Sequence, residues 1–75
     1  MDNYYFTFGQ AHIDSKGKFL KDNWIRVVEL NYTTARIKFQ KWAKTGLAHP
    51  DYWAFQYTEI DFNKHFYPKG ELLVL

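Results

Sequence analysis

The sequence predicts a small two-layer α+β domain: a β-β-α-β chain whose three-stranded, mainly antiparallel sheet, in the order 2-1-3, packs on one helix. Three observations lead there. Tyr4, Phe6 and Phe8 alternate with Tyr5, Thr7 and Gly9 at the period of a strand. Tyr32, Ala35, Phe39, Trp42 and Ala43 recur at three- and four-residue spacing, the apolar stripe of an amphipathic helix. Trp53, Phe55 and Tyr57 again alternate, and their shared face requires a cover that the helix stripe can provide.

Taken in order, the first strand runs over Asn3–Gln10, with Gly9 marking a bend or a close backbone approach. Asp14, Ser15 and Gly17 supply turn chemistry for the connection that follows. The second strand, Asn23–Leu30, carries Trp24, Arg26, Val28 and Leu30 on one side and Ile25, Val27 and Glu29 on the other. Asn31 is placed to cap the helix N-terminus, and Gly46 to end it as a left-handed terminator. Pro50 sets a loop, and the third strand covers Tyr52–Thr58. Glu59–Tyr67 fits either a short helical turn or a continued strand, and Leu72–Leu75 must pack as an edge strand or against a second copy. The face away from the helix is expected to display Tyr5, Thr7 and Gln56.

At 75 residues the chain makes one domain, 1–75, of a size whose core only marginally offsets chain entropy. Its 21% aromatic content supplies large buried area per ordered side chain, and a homodimer is expected to add more. The absence of cysteine excludes a disulfide framework and any thiolate metal site, so a cytoplasmic protein is expected. No apolar run approaches the roughly 20 residues needed to span a bilayer, and no membrane partner is expected. Although the net charge is only +2, the stretch from Lys16 to Lys44 carries +6 and the remainder −4. This asymmetry allows steering of an acidic partner or head-to-tail contact between two copies, although a solvated basic face is the favoured reading.

No catalytic set is legible, and no cofactor or metal is expected. His12, His49 and His65 lack the close spacing of a zinc site. Ser15, the only serine, lies among turn residues. Glu59 and Asp61 would share one side of a strand, where paired carboxylates can share a proton or hold a cation, but an exposed acidic edge is the favoured reading. The candidate binding residues are His12 at the end of the first strand, Trp24 and Arg26 on one strand face, Arg36, Lys38 and Lys41 on the helix, and Gln56. Trp24 and Arg26, beside the lysine loop Lys16, Lys18 and Lys21, suggest stacking of a base with neutralisation of phosphate. A nucleotide or single-stranded nucleic acid is therefore the alternative ligand class.

The stretch Tyr4-Tyr5-Phe6-Thr7-Phe8-Gly9-Gln10-Ala11-His12, followed by a helix and then Trp53-Ala54-Phe55-Gln56-Tyr57, resembles a group of short proteins encoded by bacteriophages and prophages. The resemblance spans Tyr4–Thr58; the Pro-containing loop after the helix and the tail from Asn63 to Leu75 depart from it. It implies an accessory protein of a phage, in the host cytoplasm, that binds and inhibits a host or anti-phage defence protein without catalysis.

Overall fold

A computed structural model of the protein describes residues 1–49 and 54–75. It is an α+β fold with one α-helix and a four-stranded mixed sheet. The elements in chain order are β1 (Asp2–Thr7), β2 (Asn23–Glu29), α1 (Tyr32–Gly46), β3 (Phe55–Thr58), a 3-10 helix (Lys64–Phe66) and β4 (Gly70–Val74). The sheet order is β3-β1-β2-β4; β1 is antiparallel to both neighbours, and β4 lies parallel to β2. The expected three-stranded sheet is thus extended by a fourth strand, because the apolar run near the C-terminus pairs along β2 with a register shift at Trp24/Ile25.

Alternation along β1 and β2 divides the sheet cleanly. Tyr4, Phe6, Ile25 and Val27 point to the helix and are buried with Ala35, Phe39 and Ala43. At the centre Phe6, 0% exposed, stacks on Phe39 with centroids 4.2 Å apart and planes 3° from parallel. Leu72, Leu73 and Leu75 pack against this cluster, so the tail is an edge strand feeding the core and not an uncovered apolar end.

The helix begins as its sequence requires. Asn31 Oδ1 accepts from Thr34 N at 2.9 Å while Thr34 Oγ1 accepts from Asn31 N at 3.2 Å, a reciprocal capping box that satisfies two otherwise orphaned donors. Its end corrects the expectation for Gly46. The helix continues through Gly46, and Leu47 caps it in extended conformation, φ −111°. The Gly46 carbonyl is met by the β1–β2 connection: Ser15 N donates to Gly46 O at 3.1 Å and Ala48 N donates to Ile13 O at 3.1 Å, the two bonds of an Asp14–Leu47 bridge.

Glycine is needed at position 46 for a different reason. A Cβ there would overlap the indole of Trp42, which packs beside Phe39 at 5.7 Å. Gly46→Ala sets a gain in helix propensity of about 1 kcal/mol against displacement of that indole. Overpacking should win, with a net loss of about 1–2 kcal/mol in urea unfolding and a shift in tryptophan emission; a more stable variant would show that the indole swings aside freely.

Two expectations about β3 are also corrected. Phe55 and Tyr57 pair with Thr7 and Tyr5 and therefore share the face away from the helix, whereas Gln56 pairs with Phe6 and turns to the helix side. Gln56 Nε2 donates to Tyr32 O at 2.8 Å, and Arg36 Nη1 donates to Gln56 Oε1 at 3.4 Å, tying the edge strand to the first turns of α1. Trp53, assigned to the same strand face, lies outside the described residues, as do Pro50, Asp51 and Tyr52.

The strand ends at Thr58, whose carbonyl accepts from both Asp61 N (3.2 Å) and Phe62 N (3.0 Å). Glu59 and Asp61 accordingly sit in a turn and not on one strand face, and Asp61 Oδ2 accepts from Thr58 Oγ1 at 3.0 Å.

Candidate binding site

A single helix covers only one face of the sheet. The other face presents Tyr5 and Thr7 from β1, Trp24 and Arg26 from β2, Tyr57 from β3 and Glu71 from β4. The segment after β3 folds back over it and lays Phe62 on the rings. Phe62 stacks on Tyr5 at 4.3 Å, meets Trp24 edge-on at 5.3 Å, and contacts Tyr67 at 5.5 Å and Tyr57 at 6.3 Å. Five aromatic rings thereby form a second, smaller cluster that fixes the returning segment. Its far end is held by Asn23, buried at the start of β2, whose Nδ2 donates to Gly70 O at 3.1 Å and Lys69 O at 3.4 Å.

Beside this cluster lies a cleft of about 390 Å³ lined by Tyr5, Trp24, Arg26, Glu59, Phe62, Asn63, Lys64, His65 and Glu71. Its charges are arranged unevenly. Arg26 Nε lies 3.0 Å from Glu71 Oε1, without the alignment of a directed hydrogen bond, so the contact is an ion pair. Glu59 accepts a hydrogen bond from Asn3 Nδ2 at 3.2 Å and has no cationic partner within 4.0 Å among the described residues. Burial raises the ionisation of the Tyr5 hydroxyl above the usual tyrosine value, and Glu59 and Glu71 raise it further against the opposing Arg26. Tyr57 is raised as well, first by its hydrogen bond with Tyr67, then by burial, with Thr7 acting in the opposite sense.

These shifts fix a sign. A folded-state pKa above the unfolded value means that the native state holds its proton more tightly, so the contribution to stability is complete below the unfolded value of about 10 and is lost as pH rises through the folded one. Urea midpoints should therefore fall above about pH 10, and the Tyr5→Phe/Tyr57→Phe double variant should flatten that fall. An equally steep fall in the double variant would place the cause elsewhere.

The residues singled out from sequence separate into four places. Trp24 and Arg26 come together in the cleft. Lys38 and Lys41 line a shallow groove of about 340 Å³ on the helix with Glu29, Thr34 and Ile37, where Lys38 Nζ approaches Glu29 Oε2 at 4.0 Å; Arg36 and Gln56 belong to the crosslink between α1 and β3. His12 is 7% exposed, accepts from Gly9 N through Nδ1 at 2.8 Å and packs edge-on to Phe8, which fits the inside of its turn better than a ligand surface.

His65 lines the cleft but His12 does not, and the described residues contain no group of three or more His, Asp or Glu arranged to hold a metal ion. No helix among them is long and apolar enough to cross a membrane. Glu59, Phe62 and Glu71 were missed as site residues because a turn and an edge strand bring them to β1 and β2. A sequence signal existed in Tyr57, Phe62 and Tyr67, an aromatic surplus beyond what one helix–sheet core can absorb.

Compared with protein-family models, curated proteins and solved structures, the chain matches none.

Proposed function

We propose that this is a non-catalytic binding protein whose helix-free sheet face docks on a protein partner and blocks it. The observation that carries this reading is the aromatic cleft on that face, in a chain with strongly exposed apolar side chains on the elements around it. Phe55 on β3 is 55% exposed, Ile60 in the following turn 95%, and Phe66 in the 3-10 helix 71%. Aromatic anchors beside a recess are the composition of interface hot spots; His65, Glu59 and Glu71 line the same recess, but among the described residues no hydrogen bond or ion pair joins His65 to either carboxylate as an acid–base pair would require. The phage resemblance directs the search to host and anti-phage defence proteins in the bacterial cytoplasm.

The nucleotide alternative has less support. Arg26 is already paired with Glu71, Glu59 faces the same cleft, and Lys16, Lys18 and Lys21 do not line it. A phosphate there would meet the unpaired Glu59 carboxylate, with the exposed Lys64 left to offset it. The homodimer is retained as a secondary proposal, since β3 and β4 are edge strands of a short sheet.

The discriminating experiment is crosslinking capture from host lysate with the wild-type protein and with an Ile60→Asp/Phe66→Asp variant. Both positions are exposed, so folding should survive. A protein recovered by the wild type and lost with the folded variant is expected; identical recovery by both would overturn the reading.

A further inference from the structure

The geometry points to the cleft between β1, β2 and the returning segment as a receptor for an arginine side chain of the partner. This rests on the binding reading above and names the chemistry of its central contact. The floor is aromatic, with the Trp24 indole and the Tyr5–Phe62 stack, and faces of this kind attract planar cations. The internal cation, Arg26, is neutralised by Glu71. That leaves Glu59 as the carboxylate without a cationic partner among the described residues, anchored by Asn3 and able to accept from a guanidinium. Lys64 also lines the recess, with its side chain exposed and no carboxylate within 4.0 Å among the described residues, so the lining carries two acids and two bases, of which Arg26 and Glu71 are paired with each other. The aromatic floor with the unpaired Glu59 carboxylate therefore suits a planar cation, which would share the recess with the exposed Lys64. A volume of about 390 Å³ lies at the small end of ligand sites and suits one side chain better than an extended ligand.

The test is an NMR titration of the full chain with N-acetyl-arginine methylamide, run beside inorganic phosphate and adenosine monophosphate as anionic probes. Saturable shifts of the Tyr5, Trp24 and Phe62 ring signals with the arginine probe alone are expected, weakening with added salt. Glu59→Gln keeps the shape and the Asn3 contact while removing the charge, and should lower the affinity roughly tenfold with unchanged thermal stability. No saturable shift, an equal affinity in Glu59→Gln, or preferential binding of either anion would overturn the assignment. So would sedimentation showing that the wild type self-associates and Glu59→Gln is monomeric, since the occupant would then be a second copy. Arginine binding without any partner captured from lysate would instead leave this inference standing and remove the functional reading.

Discussion

Phe6→Ala is expected to lose about 3–5 kcal/mol of unfolding free energy, the largest effect of any single truncation in the core. Phe6 is fully buried near the end of β1, one of the two inner strands, and stacks face to face on Phe39, the deepest ring of the helix stripe. For a chain of 75 residues the whole stability is on the order of 4–11 kcal/mol. The variant should therefore be partly unfolded at room temperature. Phe6→Leu fills much of the same space without the stack and should cost less than about 1.5 kcal/mol. Chemical denaturation of the two variants checks the ordering; a Phe6→Ala loss below that of Phe6→Leu would contradict the packing.

Phe62→Ala should cost about 2–3 kcal/mol, less than a fully buried phenylalanine because Phe62 is only half-buried. Its consequence is different in kind. Phe62 touches Tyr5, Trp24, Tyr57 and Tyr67, so its loss unpins residues 59–69 from the sheet while leaving Phe6, Phe39 and the helix in place. Amide exchange should rise at Phe66 and Tyr67, whose amides bond to Asn63 O and Lys64 O within the returning segment. The protection of β1 and β2 should fall only by the global loss. Uniform loss across the sheet would mean that the two aromatic clusters are one cooperative unit.

The difference between these clusters also explains which parts of the fold could be read from sequence. The helix was legible because Ala35, Phe39 and Ala43 recur at its period and Asn31 precedes it with the cap acceptor in place. β1 and β2 were legible from alternation. For β3, alternation correctly groups Phe55 with Tyr57 but cannot say which side of the sheet they occupy when both sides carry aromatic residues. The assignment therefore inverted, and Gln56 took the helix side. β4 carried no alternation because Leu72, Leu73 and Leu75 all reach the core across a register shift. In the candidate site, Trp24 and Arg26 could be found as neighbours on one strand face. Glu59, Phe62 and Glu71 could not, since contacts 38 to 57 residues away in sequence place them, and no local periodicity records such a return.

The basic face of α1 remains the natural rival to the cleft as the place of recognition, with Arg36, Lys38, Lys41 and Lys44 on one exposed helix and Ile37 among them. Amide chemical-shift mapping of the labelled protein, titrated with the partner captured by the wild type, separates the two. The central claim requires the largest perturbations at Tyr5, Trp24 and residues 59–66, with α1 nearly silent beyond its contacts to Gln56. Perturbations confined to Arg36, Lys38, Lys41 and Lys44, with the cleft unchanged, would contradict it.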